Sequence, residues 1–224
     1  MKRIKKQFLS RHSSLIVILN KIVCMNLTSK INFCRKCFDS EFSNRLNFDE
    51  KPFVKFQVEE IWKPEQVKVL FVAESPPWNG KQSYFYNQNQ ADNRTNLRKE
   101  VLSLLNLKSL EEFKTKGYYL IDVIKCRLNK KVKKNIPKEA ITTCSHQFLE
   151  KEIKQLKPKK IFVLGNTAKK ALQRMPKFQE LTYHKVTDNY EAVLSGHHII
   201  LSAYPGGQTR KYQNKIKVAF AKLA

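Results

Sequence analysis

Four cysteines in this chain have the type and spacing to hold a metal. Cys34 and Cys37 form a Cys-x-x-Cys pair near the start, Cys126 closes the run "YYLIDVIKC", and Cys144 lies within "TTCSHQF". Thiolates brought from three separated segments can close one tetrahedral site, which would suit a [4Fe-4S] cluster or a structural zinc. The residue types leave the two open. In either case the task is structural, clamping the N-terminal segment and the basic loop 127–143 onto the domain. Cys24, the remaining cysteine of the five, fits no such set and reads as a buried or incidental thiol.

Those cysteines need elements to hold them. The runs "VKVLFVAE" (67–74), "GYYLIDVIK" (117–125), "KKIFVLG" (159–165) and "HHIILSAYP" (197–205) are rich in Val, Ile, Leu and aromatic residues, as strands covered on both faces are. Between them, "RTNLRKEVLSLLNL", "PKEAITTCSHQFLEKEIKQL" and "NTAKKALQRM" carry apolar residues at helical spacing, and "TRKYQNKIKVAFAKLA" closes the chain as a further helix. Pro137 opens the second of these where proline is tolerated. Such alternation predicts an α/β fold, a three-layer α/β/α sandwich with a central, mainly parallel sheet of about four strands. In open parallel sheets, chemistry collects beyond the carboxyl ends of the strands. The segments following the four runs, "ESPPWNG", "KCR", "GNTA" and "YPGGQTR", are therefore where a site is expected. His197 and His198 begin the fourth run, far from that edge, and read as structural or surface residues.

A chain of 224 residues, 42% hydrophobic, can bury one sizeable core, so a single domain over 25–224 is expected behind a basic extension over 1–24. Lys and Arg number 43 against 19 Asp and Glu, a net charge of +24. That imbalance exceeds what solubility needs and points to a polyanion, nucleic acid above all. A lysine-rich codon bias is the bland account of it. Arg127, Lys130, Lys131, Lys133 and Lys134 form a dense basic stretch that reads as a phosphate-gripping loop, with Arg210 as a further DNA contact. Contacts of this kind give affinity without sequence preference. The N-terminal "MKRIKKQFLSRHSSLIVILNKIVCMN" imitates a secretory leader, but Asn20 and Lys21 cut its apolar run short and no small-residue cleavage site follows. It reads as a basic amphipathic helix, or as sequence upstream of a start at Met25. No stretch approaches the roughly 18 apolar residues of a membrane span. A cytoplasmic monomer without a membrane partner is expected, and five cysteines in a reducing compartment favour metal or catalysis over disulfides.

Taken together, "FVAESPP", "IDVIKC", a cysteine in the following helix, "KKIFVLGNTAKKAL" and the late "YPGGQTR" resemble the uracil-DNA glycosylase superfamily, in particular its iron-sulfur branch, family four. The similarity runs from about residue 20 to the C-terminus. That branch carries a Cys-x-x-Cys near its N-terminus, a third cysteine at the close of a strand and a fourth in the next helix. The resemblance implies a [4Fe-4S] cluster on Cys34, Cys37, Cys126 and Cys144, with zinc as the alternative. It also implies DNA as partner and cleavage of the bond between base and sugar of an extruded nucleotide. Glu74 matches the acidic residue of the family motif Gly-Glu-Ala-Pro-Gly, flanked here by Ala73 and Ser75-Pro76-Pro77, and its implied task is to orient the attacking water. "SYFYN" matches the region that supplies the stacking ring, Phe85 first and Tyr84 or Tyr86 behind it.

Two positions depart from the family pattern. Asp122 stands where the base-reading asparagine falls, and Tyr204 where the histidine preceding proline in the last motif falls. An amide both donates and accepts, whereas an ionised carboxylate only accepts and repels a carbonyl such as uracil O4. Asp122 therefore suits an edge with two neighbouring donors, as a guanine-type edge offers, unless burial protonates it into an amide mimic. Tyr204 can still donate a neutral hydrogen bond to a departing base. The expectation is a DNA glycosylase that excises a deaminated or damaged base, uracil or another, in base excision repair. A non-catalytic nucleic-acid-binding protein of the same fold is the alternative, and a zinc-stabilised RNA-binding module a third reading.

Overall fold

The computed structural model describes residues 27–48, 50–78, 84–88, 96–129, 135–206 and 212–223. These contain strands β1 (Leu46–Asn47), β2 (Val69–Ala73), β3 (Tyr118–Asp122), β4 (Arg127–Leu128), β5 (Lys160–Leu164), β6 (Glu191–Leu194) and β7 (His197–Ser202). The helices are α1 (Leu27–Asn32), α2 (Pro52–Lys55), α3 (Asn96–Leu104), α4 (Leu110–Thr115), α5 (Lys138–Cys144), α6 (Glu150–Leu156), α7 (Gly165–Leu172) and α8 (Gln213–Ala221). The chain divides into two units, Met1–Cys34 and Arg35–Ala224. In the first, α1 buries Thr28 and Ile31, and beyond it the Cys34 N–H donates to the Ile31 carbonyl at 3.3 Å. The expected extension over 1–24 lies outside the described residues.

In the second unit all four apolar runs become strands, because both of their faces find cover. The main sheet has the order β3-β2-β5-β7-β6, with β3, β2, β5 and β7 parallel and β6 antiparallel to β7. Every residue of β2 is buried, as are the last four of β3, β5 and β7. Such strands must lie between two helical layers. On one face the rings of Phe71 and Phe162 meet Phe113 of α4 and Phe220 of α8, with centroids 4.6 to 6.2 Å apart. α7 packs along β5 and β2, and α5 along α7. The helical pattern over 138–156 is one run whose middle turn, Ser145–Leu149, is π-wound, and it ends at Lys157 (φ 45°) before Pro158.

The expected sheet of about four strands has a fifth. β6 returns to β7 through Ser195 and Gly196, both left-handed at φ 50° and 78°, the two-residue geometry that matches the twist of paired strands. The Ser-Gly pair between "EAVL" and "HHIIL" is the sequence signal for that hairpin. β1 and β4 pair separately as a short antiparallel ribbon. His197 Nδ1 lies 2.7 Å from the Pro158 carbonyl and His198 Nε2 reaches Glu191, so both histidines are structural, as expected. Among the described residues no helix is long and apolar enough to cross a membrane.

Register fixes the working edge. Ala73 lies opposite Asp122, Val72 opposite Val163, and Leu164 opposite Ser202. Glu74, Asp122, Gly165 and Ala203 consequently emerge along one line at the carboxyl ends of four neighbouring parallel strands.

Candidate functional site

Glu74 leaves β2 half-buried, and Thr167 Oγ1 donates a hydrogen bond to its Oε2 at 2.5 Å. Thr167 reaches it because α7 starts immediately after β5, on a sharp turn at Gly165 with φ +85°. A side chain at Gly165 would also press on Tyr204, whose Cβ would lie 3.3 Å from the added carbon. Gly206 gives way to the same residue, since a Cβ there would overlap the tyrosine ring. Tyr204 is 38% exposed and Asp122 only 7%. Burial, reinforced by the negative charges of Asp122 and Glu74, pushes the Tyr204 hydroxyl far above its usual range. The structure thus brings Glu74, Asp122 and Tyr204 into one electrostatic neighbourhood and keeps the phenol neutral.

The aromatic run divides its labour differently from the sequence-based expectation. Phe85 is buried edge-on against Phe113 at 5.3 Å and Tyr86 at 4.9 Å, so the ring expected to stack on a base belongs to the aromatic core under α4. The hydroxyl of Tyr86 accepts from the Leu120 N–H at 2.7 Å and lies 3.1 Å from the Leu120 carbonyl, to which it donates, on the outer edge of β3. Tyr84 stacks on Phe56 with centroids 5.3 Å apart. Burial first, and then the charge of Asp122, pushes its hydroxyl well above the usual range. Tyr84 and Tyr86, rather than Phe85, are the rings of this run whose hydroxyls respond to Asp122.

A cavity of about 660 Å³ opens beside Glu74. Its wall includes Thr167, Lys170 and Arg174 from α7 and its C-terminal turn, and Asn135 and Lys138 from the start of α5. Asp122, Tyr204 and Phe85 do not line it. Sequence reasoning missed Thr167, Lys138, Lys170 and Arg174 as site residues. The usable signal was the four-residue spacing of Lys170 and Arg174 just after "GNTA", which puts two cations on one helical face.

Arg127 corrects another expectation. It is buried, donates through Nε and Nη2 to Glu50 Oε1 at 3.1 and 2.9 Å, and through Nη1 to the Pro77 carbonyl at 2.6 Å. A guanidinium held this way has no face left for phosphate. It ties the segment following Glu74 to β4 instead. Lys130, Lys131, Lys133, Lys134 and Arg210 lie outside the described residues.

Behind the edge, a second buried cation fixes the turn from Asp122 to Cys126. Lys125 Nζ donates to the Asp122 carbonyl at 2.6 Å and to both carboxylate oxygens of Glu152 at 2.7 and 2.8 Å. Burial pushes the Glu152 carboxyl up, and Lys125 pulls it back down.

Cys37, Cys126 and Cys144 are all buried in the second unit. Burial pushes the Cys144 thiol up to about 12, with the potentials of Cys126 and Cys37 adding, while the Lys125 N–H bonded to it works the other way. Lys51 Nζ, itself buried, donates to Cys126 Sγ at 3.1 Å. Soft sulfur donors that feel one another, with Cys126 and Cys144 each met by an N–H, suit a thiolate-bound metal or cluster. Among the described residues, however, no group of three or more His, Cys, Asp or Glu side chains is arranged as a metal-holding set. Cys34 closes the first unit and is half-buried.

No curated protein matches the chain. The family model of the Uracil DNA glycosylase superfamily matches residues 61–223, which takes in Glu74, Asp122, Cys126, Cys144 and Tyr204 and leaves out Cys34 and Cys37. With more than half of its residues matched and its helices set about a mainly parallel sheet, the chain belongs to the uracil DNA glycosylase superfamily.

Proposed function

We propose that the protein is a DNA glycosylase that hydrolyses the N-glycosidic bond of a deaminated or damaged nucleotide in base excision repair. The observation that carries this reading is the meeting of Glu74, Asp122 and Tyr204 at the carboxyl edge of the sheet, with the potentials of both carboxylates felt at the Tyr204 hydroxyl. Proteins of this superfamily act on DNA, and a net charge of +24 suits that partner.

The residues divide the chemistry. Glu74, oriented by Thr167, directs the attacking water and stabilises positive charge on the sugar. Tyr204 remains protonated and donates a hydrogen bond to the departing base. Asp122, buried among tyrosine hydroxyls, accepts from the edge of the base and selects one that offers donors. Cys37, Cys126 and Cys144, with Cys34 as the fourth ligand, would hold an iron-sulfur cluster or, alternatively, zinc. The group supplies a structural clamp.

The test uses anaerobically purified protein and oligonucleotides containing uracil, hypoxanthine, xanthine or oxidised guanine, scored for abasic sites. Glu74→Gln should abolish base release while DNA affinity changes little, because phosphate contacts carry the binding. Asp122→Asn should move the profile toward uracil, the amide restoring a donor for O4. An unchanged profile removes Asp122 from base reading. DNA binding without release of any base overturns the enzyme reading in favour of a non-catalytic nucleic-acid-binding member.

A further inference from the structure

The cavity beside Glu74 is not a base pocket. Among the described residues no aromatic ring lines it, and its wall is dominated by Lys138, Lys170, Arg174, Asn135 and Thr167. A purine or pyrimidine needs a flat apolar surface on which to stack. This wall offers three cations, amide and hydroxyl groups, and one carboxylate at its end. Among the described residues no carboxylate forms an ion pair with Lys138, Lys170 or Arg174. Burial depresses the neighbouring Lys169 ammonium, with the Asp188 carboxylate working the other way and the Lys170 charge adding to the fall, so the two lysines repel along the helix. Asn135 is held in place from below, its carbonyl accepting from buried Arg45 Nη2 at 2.8 Å.

We infer that this cavity takes a backbone phosphodiester of the DNA strand next to the nucleotide being processed, gripped by Lys170 and Arg174 with Lys138 closing from the α5 side. The inference rests on the glycosylase reading for the identity of the strand. It assigns the phosphate site to described residues of α5, α7 and its C-terminal turn. Phosphate binds at the cationic end, because the Glu74 carboxylate repels it from the other. Glu74 is then left facing the sugar of that nucleotide. A phosphate held by α7 in this way sets how far the strand can slide, and so which glycosidic bond meets Glu74.

The test measures binding of a single-stranded oligonucleotide carrying a tetrahydrofuran abasic analogue, which has no base to release. The Lys170→Gln/Arg174→Gln double variant should bind it at least about tenfold more weakly for each lost charge-assisted contact. The slope of log affinity against log salt should fall by about 0.7, because one phosphate of a single strand is no longer neutralised. Lys151→Gln/Lys154→Gln, which removes equal charge from α6 outside the cavity, should cost clearly less. Replacing single phosphates by neutral methylphosphonates should then find one position, adjacent to the analogue, that weakens the unmodified protein and leaves the double variant unaffected. Additive losses at every position would overturn the assignment. So would loss of inorganic phosphate binding with unchanged oligonucleotide affinity, which would make the cavity a site for the free ion. Base release at saturating DNA is scored separately. A protein that releases no base but shows the methylphosphonate coupling retains this phosphate site and loses only the glycosylase reading.

Discussion

Lys125→Met should be among the most damaging single substitutions in this chain. Lys125 and Glu152 have side chains 2% and 3% exposed, joined at 2.7 Å, and the same ammonium holds the Asp122 carbonyl. Removing the lysine strands a carboxylate in the core, a situation that costs about 3–5 kcal/mol. For a domain of this size each kcal/mol moves the melting temperature by about 2–4 °C, so the expected fall is about 6–20 °C. Replacing both partners, Lys125→Met with Glu152→Leu, should recover most of that loss, because two apolar groups leave no charge unpaired. Thermal unfolding followed by circular dichroism at neutral pH reads all three proteins. The double variant should still release base more slowly than the parent, since nothing then ties the turn that aims Asp122. A fall below about 2 °C for Lys125→Met would refute the reasoning, because it would mean that water reaches the pair and screens it.

Three further outcomes are expected. Gly165→Ala places a side chain at φ +85° against Tyr204, so it should cost about 1–2 kcal/mol in unfolding experiments and slow base release in the same variant. Burial pushes the Glu50 carboxyl up, but Arg127 and Lys55 outweigh it and hold the group below its usual 4.5. A depressed carboxyl stabilises the fold above the unfolded value and loses that contribution as pH falls through the folded one. Urea unfolding should accordingly separate Glu50→Gln from the parent by about 1–3 kcal/mol at neutral pH and bring the two together as acid takes the pH down through the depressed folded value. Cys126→Ala should lose colour and solubility together if the thiols hold an iron-sulfur cluster, read by the visible spectrum and iron content; colourless parent protein with one zinc per chain would replace the cluster by zinc while keeping the clamp.

The parallel core was legible because its signals are local. Runs such as "VLFVA" and "KIFVL" carry β-branched and aromatic residues without interruption, and polar residues at their ends are confined to one edge by geometry. Glu74, Asp122 and Tyr204 could be placed for that reason. What escaped the sequence depends on partners distant in the chain. Arg127 looks like part of a basic run until Glu50 and Pro77 enclose it. Phe85 looks like a stacking ring until Phe113 covers it. Lys170 and Arg174 look like a solvated helical face until the end of the basic loop closes a cavity opposite them. β6 was overlooked for a different reason: its alternating exposure, with every second residue facing out, leaves a weaker apolar signal than a doubly covered strand gives.

The Tyr86 hydroxyl, which occupies both the N–H and the carbonyl of Leu120, has a meaning for the life of the protein in solution. β3 is the outermost strand on its side of the described sheet, and an open strand edge invites a second chain to add itself and begin aggregation. One phenol closes that edge at its centre. The same phenol belongs to the segment that carries Tyr84 toward Asp122, so peeling that segment away to admit a ligand would bare the edge as well. The Tyr84–Tyr86 segment therefore serves as a fixed wall beside Asp122 rather than a swinging lid.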